Sequence, residues 1–408
     1  MLTNTDITEF LNKYDYDIRK TGNARWIDQK CTPDVITIIS DCIYNFHLNN
    51  SEKFFTSSDI RFSDYARSNV VEIFKKPEVD SDKAEHEYDK FFQQPMELLA
   101  ASHVLTKYKV KNRNVYEISD IEILDYLALR EKNSLYFLKE YITKTLKDSG
   151  IYPLFETFFN NQTPENYSKM KSGFSSFTIK NTPINKELEC NRIFIKVLNP
   201  LAYFKNSLGT VKGRLSKDKI TYDMLMYNRN NFRDINAEKP KNVTRKEYMQ
   251  SHKIVFNKAY YRYQSQKAKR VLHDFNTRYR RDKSEYDDEY ANAPATEIHH
   301  IFPESKYPEI SYYLENLIAL TPTQHLNCAH PNHKTGEISK SYQHKLLLAK
   351  VERIKENLNS GNAEKKYSFS NLLKVLAVAF EDDGILNIDN NYFDAIVDVI
   401  NSHYLSEQ

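Results

Sequence analysis

Between Thr296 and His325 the chain reads T-E-I-H-H-I-F-P and then N-L-I-A-L-T-P-T-Q-H, and this stretch restricts the fold most tightly. Glu297 to Phe302 is rich in β-branched and apolar residues and is ended by Pro303, the pattern of a strand. Asn316 to Leu320 is a second short apolar run. Thr321-Pro322-Thr323-Gln324 then reads as a helix start, with Thr321 as N-cap, Pro322 at the first helical position and Gln324 closing a capping box. His325 falls in the first turn of that helix, facing back toward the strands. Two short strands and a helix therefore bring together three imidazoles (His299, His300 and His325) and one amide, Asn316.

That cluster suits metal-assisted hydrolysis of a phosphodiester. Such a reaction needs a base for water, and His is the side chain whose ordinary pKa lies near neutral pH. It also needs a cation beside the phosphate, to neutralise charge as the 3′ oxygen leaves. Adjacent histidines allow a base and a metal ligand to sit within a few ångströms of each other.

His299-His300-Ile301-Phe302-Pro303, the middle Asn316 and the terminal His325 resemble the HNH, or ββα-metal, nuclease motif. The resemblance implies His299 as metal ligand, His300 as general base, Asn316 as the brace of the base's loop and His325 as the second ligand. Two features depart from the family pattern. Many members carry Asp where His299 stands, and the flanking Cys-x-x-Cys zinc knuckles common in the family are absent. The implied cofactor is a divalent metal: Mg2+, with Mn2+, Co2+ or Ni2+ as good or better. Imidazole favours the later transition metals, whereas magnesium prefers oxygen ligands. Glu297, on the same side of a strand as His299, is a candidate for a missing oxygen ligand.

A length of 408 residues allows two or three domains, and only 8 glycines and 13 prolines argue against long flexible linkers. A net charge of +3 implies nothing alone, so contact with nucleic acid must rest on local patches. Cys31, Cys42, Cys190 and Cys328 lack zinc or redox spacing and suit a reducing cytoplasm. The N-terminus has no basic segment followed by an apolar run. The longest apolar run, Leu372 to Phe380, is broken by Lys374 and is too short to cross a bilayer. No G-x-x-x-x-G-K-[ST] phosphate loop occurs, which argues against a nucleotide-driven motor.

Five regions are expected in order. Residues 1–50 read as helical, with a helix start at Thr32-Pro33-Asp34 and a loop carrying Arg19, Lys20, Arg25, Trp26 and Lys30. That loop reads as a solvated loop around one buried Trp, or as a phosphate-contacting arm. Residues 51–130 give helices, then a hairpin with a basic tip over Lys109 to Arg113, the order of a winged helix. Lys107, Lys109, Lys111 and Arg113 would touch DNA phosphates, which position without reading sequence.

Residues 131–243 read as a helical connector and a mixed α/β recognition region. Asn160 to Ser176 is a polar linker there, and Arg192 to Val197 alternates like a strand. Asn228, Arg229, Asn230, Asn231 and Arg233 are types that can read base edges or form a polar loop. Residues 244–345 hold a basic helix and the HNH domain. Thr244 to Lys283 carries twelve Lys and Arg against three acids, so Lys267, Lys269 and Arg270 are expected on the DNA backbone. His330, His333 and Cys328 read as helix-end and loop residues, for want of a partner Cys pair. Residues 346–408 are helical, a cap on the nuclease core or a homodimer interface.

The expected fold is α+β, helix-rich and multidomain. It would join a winged-helix-like DNA-binding region to a C-terminal ββα-metal domain with a helical extension. By resemblance, the expected protein is a sequence-specific double-stranded DNA endonuclease of the Type II restriction class. It would lie in the bacterial cytoplasm, with no membrane or nucleotide cofactor. The alternatives are a homing or mobile-element enzyme, a modification-dependent nuclease, or a winged-helix binder with an inactive HNH domain.

Overall fold

The structure, a computed structural model, describes residues 2–74, 76–77, 79, 85–227, 258–330, 338–361 and 365–406. The chain forms two compact units, Met1–Val255 and Phe256–Gln408. It is helix-rich with three two-stranded antiparallel sheets among the described residues, an α+β composition. No described helix is long and apolar enough to cross a membrane.

In the first unit, α1 (Asn4–Asn12) and α2 (Ile18–Thr21) lead to α3 (Pro33–Asn49), which begins where Thr32-Pro33-Asp34 predicts. From Pro33 to Ile43 every residue of α3 is buried, so this helix is the centre of the core rather than a surface helix with one apolar stripe. Trp26 is buried beside Tyr141. The cations of its loop face carboxylates instead: Arg19 pairs with Asp17, Lys20 with Asp15, Arg25 with Asp28 and Lys30 with Glu87. Those pairings argue against a phosphate-contacting arm.

After α3 come α4 (Ser57–Arg61), α5 (Asp64–Phe74), α6 (Glu85–Ala101) and the hairpin β1 (Leu105–Val110) and β2 (Arg113–Ile118). Phe55 bridges Tyr116 through both backbone bonds, at 3.0 and 2.8 Å, adding one residue of a third strand. The strands run further than the expected five-residue tip, to the pair Val110–Arg113. Lys111 and Asn112 alone make the turn, with φ of 45° and 65°, as a two-residue primed turn requires. Helices α5 and α6 pack on α3, so residues 51–130 share a core with a helix of the 1–50 region.

Helices α7 (Ile121–Leu129) and α8 (Glu131–Asp148) cover α3, and Gly150 at φ 72° separates α8 from α9 (Tyr152–Asn160). Two expectations fail in the next segment. The linker expected over Asn160 to Ser176 is mostly α10 (Pro164–Asn181). Thr163 caps it by accepting from Asn166 N at 3.2 Å, and Tyr167, Met170, Phe174 and Thr178 are buried at helical spacing. The strand expected over Arg192 to Val197 lies inside α11 (Glu187–Phe204). Its buried stripe of Cys190, Ile193, Phe194, Val197, Leu198 and Leu201 shows the helical period only over a longer window. Hairpin β3 (Leu208–Val211) and β4 (Arg214–Lys219) packs on α11, and α12 (Tyr222–Leu225) follows. Gly209 is needed there, since a Cβ would stand 2.6 Å from Asn199 Oδ1. The Asn228 to Arg233 cluster and the Thr244–Glu247 capping box lie outside the described residues.

The second unit opens with α13 (Lys258–Arg280), which packs over the hairpin of β5 (Glu297–His300) and β6 (Leu317–Leu320). A π-helix, Gln324–Ala329, comes next, and then α14 (Lys340–Asn359), α15 (Phe369–Phe380) and α16 (Phe393–Ser406). Glu285 closes the free edge of β6. Its backbone N–H donates to Ala319 O at 2.9 Å, and its Oε2 accepts from Ala319 N at 2.8 Å. The buried carboxylate is matched by Lys350 at 3.1 Å, whose ammonium also reaches Tyr367 Oη at 2.8 Å. An ion pair so far from water is tolerable only when its remaining valences are filled, as they are here.

Candidate metal centre and active site

In the β5–β6 hairpin His299 pairs with Ile318 and His300 with Leu317. Side chains alternate along a strand, so Glu297 and His299 share one face and His300 takes the other. The strand expected to reach Phe302 stops at His300, because Asn316 takes over the backbone beyond. Ile301 N donates to Asn316 O at 2.9 Å. The fully buried Asn316 side chain accepts from Phe302 N at 2.8 Å and donates to Phe302 O at 3.0 Å and Ile310 O at 3.2 Å. Asn316 therefore ties both ends of the loop that succeeds His300.

The helix start at Thr321 is capped in both directions. Gln324 N donates to Thr321 Oγ1 at 3.2 Å, and Thr321 N donates to Gln324 Oε1 at 3.1 Å. Gln324 Nε2 also holds Tyr286 O and Asp288 Oδ1, pinning the preceding loop beneath the site. The helix that starts here, Gln324–Ala329, is a π-helix rather than an α-helix, and this changes which residues meet. In a helix of i→i+5 bonds, residues five apart come near each other, where an α-helix would turn them well apart.

His325 and His330 are five apart, and with His299 they form a cluster. One potential ligand atom from each lies within 4.8 Å of the other two, and the ring centroids stand 4.9 to 5.2 Å apart. His330 is the helix-end residue expected from sequence, the C-cap of Gln324–Ala329, and it is also the third imidazole of the cluster, a role the sequence expectation leaves out. Its spacing of five from His325 is its sequence signal, and it has meaning only in a π-helix. His333 lies outside the described residues, and Cys328 is not in the cluster.

The electrostatics favour the neutral form of His299 and His325. Burial pushes His299 well below the usual histidine range, and the neighbouring His325, His330, His300 and Lys269 add to this. Burial and His330 lower His325 as well, against the opposing pull of Glu297, whose Oε2 lies 3.6 Å from His325 Nδ1. That distance is too long for a hydrogen bond, and Glu297 stands outside the ligand cluster. His299 Nε2 is buried with no hydrogen-bond partner. A buried polar atom without a partner is costly, and a neutral nitrogen in a nest of three imidazoles is what a metal ion requires. The residues present therefore fit a metal ion, which His299, His325 and His330 could hold.

His300 faces α13. Burial, reinforced by Lys269, lowers its pKa to about 4, although the backbone bond to Ser311 opposes the shift. Its Nε2 stands 2.9 Å from Ser265 Oγ and 3.1 Å from Ser311 O. Among the described residues its Nδ1 has no partner. Lys269, one turn beyond Ser265 on α13, is close enough to lower all three of His299, His300 and His325. Burial lowers Lys269 in turn, against the pull of Glu304 and Glu297.

The remaining expected contacts are scattered. Lys267 lies 5.5 Å from the Tyr263 ring centre, and Arg270 is half-buried on α13. In the other unit Lys107 is paired with Glu97 at 2.7 Å, while Lys109, Lys111 and Arg113 are exposed. Comparison with protein-family models, curated protein sequences and solved structures gives no match.

Proposed function

We propose that this chain is a metal-dependent DNA endonuclease of the HNH type, with His300 as its general base. The observation that carries the reading is the pairing, on one four-residue strand, of a buried partnerless His299 nitrogen with a neutral His300. A divalent cation held by His299, His325 and His330 would supply positive charge beside the scissile phosphate. His300 Nδ1 takes the proton of the attacking water as its oxygen bonds to phosphorus and the bond to the 3′ oxygen breaks. Lys269, on the helix above, suits a phosphate oxygen, and Asn316 holds the loop after the base in shape.

We further propose that Met1–Val255 contacts the duplex as a winged-helix-like module. The order α3, the Phe55 bridge, α4 and α5, α6, then the β1–β2 hairpin supports that reading. A cleft of about 580 Å3 there offers Lys90, Gln93 and Lys109, while Lys107 and Asn114 in its wall are held by Glu97 and Arg192 by Glu189. Amide and guanidinium groups are the side chains that read adenine and guanine edges. A nuclease with its own reader is the plan of a restriction endonuclease. Homing and modification-dependent enzymes share that plan, and methylation of the plasmid separates the restriction reading from the modification-dependent one.

The test is a pair of assays on His300→Ala. Plasmid nicking with a divalent metal should fall by several orders of magnitude, while duplex affinity in gel shifts stays near wild type. Equal loss of both, or no nicking by the wild type with any divalent metal, sinks the reading.

A further inference from the structure

The contacts of His300 specify more than its position. Its Nε2 has two neighbours from different parts of the second unit: Ser311 O at 3.1 Å and Ser265 Oγ, from α13, at 2.9 Å. A carbonyl oxygen can only accept. The Ser265 hydroxyl has a single proton, and Glu304 Oε2 lies 3.2 Å away to receive it. With its proton given to the carboxylate, Ser265 offers only lone pairs to the imidazole. Both neighbours of Nε2 are then acceptors, so Nε2 must carry the ring proton and Nδ1 must carry the lone pair.

We propose that Ser265 and Glu304 are positioning residues that hold His300 as the Nε2–H tautomer, with Nδ1 as the proton acceptor. This rests on the reading of His300 as the base. Ser265 is 1% exposed, so water does not compete for its hydroxyl, and its place on α13 makes it independent of the hairpin that carries His300. Glu304 lies one residue beyond Pro303, four past His300, and its Oε2 is 3.9 Å from His300 Nε2. At that distance it makes no bond to the ring. It acts through Ser265, by taking the hydroxyl proton that would otherwise be free to turn toward Nε2 and force the opposite tautomer.

The experiment reads the tautomer directly, in the full-length chain labelled with 15N-histidine and freed of metal by chelation. Long-range 1H–15N correlations distinguish a protonated from an unprotonated ring nitrogen, and the His300 signals are those lost in His300→Gln. Wild type should show His300 wholly as Nε2–H. Glu304→Gln, whose amide can donate to Ser265 and turn its hydroxyl toward the ring, should show both tautomers, and Ser265→Ala, which leaves Nε2 only the Ser311 carbonyl at 3.1 Å, should show a smaller Nδ1–H fraction. In plasmid nicking Ser265→Ala should lower kcat by 10- to 100-fold, the usual order for losing a side chain that orients a reacting group, at unchanged KM. Ser265→Thr, which keeps the hydroxyl, should restore both readouts. A wild-type His300 protonated at Nδ1 overturns the proposal, as does Ser265→Ala with unaltered tautomer and kcat. Because the tautomer is read without metal or DNA, a chain with the expected tautomers that never nicks supports the positioning role and refutes only the nuclease reading.

Discussion

Replacing Asn316 with Ala tests how much of the hairpin's shape depends on one buried amide. The side chain makes three hydrogen bonds, of 2.8, 3.0 and 3.2 Å, all to backbone of the loop between β5 and β6. A typical bond contributes about 1 kcal/mol net, and a buried N–H left without a partner costs roughly 1–3 kcal/mol more. Phe302 N–H is the group left so placed, since Asn316 Oδ1 is its acceptor. The expected loss is therefore roughly 4 kcal/mol. For a unit the size of Phe256–Gln408 each kcal/mol lowers Tm by about 2–4 °C, giving a fall on the order of 10 °C.

Calorimetry of the full chain reads this shift. Trp26, the chain's single tryptophan, lies in the other unit, and its fluorescence melt serves as an internal control. Nicking by Asn316→Ala at a temperature well below its Tm should be reduced through kcat, because Phe302 is two residues from His300. A calorimetric shift under about 2 °C would refute the reasoning, since it would mean the three bonds are replaced by water at no cost.

The other predictions concern the metal, the hairpin and acid. Three imidazoles favour the later transition metals over magnesium, so nicking should need less manganese, cobalt or nickel than magnesium. His330→Ala should raise the metal concentration for half activity at least tenfold, and an unmoved midpoint in the titration would exclude His330 as a ligand. Replacing Lys109, Lys111 and Arg113 together by Ala should flatten the salt dependence of duplex binding by up to about one unit of slope per lost phosphate contact. Lys107→Ala alone should change the slope little, because that ammonium is already paired with Glu97; a gel-shift series against salt checks both. In acid, His300 has a folded pKa of about 4 against an unfolded value of 6.5. Its stabilising contribution, roughly 3 kcal/mol when full above pH 6.5, is lost as pH falls through about 4. Thermal melts of chelator-treated protein at pH 7.5 and 4.5 should show this loss, and His300→Gln should show a smaller one.

Much of the fold is legible where a strong period runs over a whole element. The start of α3 at Thr32-Pro33-Asp34 and the capping box between Thr321 and Gln324 are local signals that tertiary packing did not override. Helix α10 is hidden because its exposed faces are Ser-, Lys- and Asn-rich, and its five buried residues are dispersed among them. Helix α11 is misread because six residues of alternation cannot distinguish a strand from part of a helical stripe. Pairings such as Lys30 with Glu87 span too much chain to be read from local charge, which is why a loop of cations resembles a phosphate arm until its carboxylates are located.

The site divides along the same line. His299, His300, Asn316 and His325 are visible because strand alternation and a capped helix start relate them by short-range rules. His330 is not, since five-residue spacing joins no face of an α-helix, and the π-helix that gives it meaning is a product of the packing. Gln324 is fixed at the first residue of that helix by bonds to Ser284, Tyr286 and Asp288, while Ser339 N holds Ala329 O at its last. Held at both ends, the segment reaches His330 with wider turns than an α-helix would make. The third imidazole is thus placed by residues that touch no metal. On this argument Gln324→Ala, which removes one anchor and no ligand, should weaken metal binding as a ligand substitution does. Retention of wild-type affinity in a metal titration of that variant would show that the wide turns are intrinsic to Gln324–Ala329.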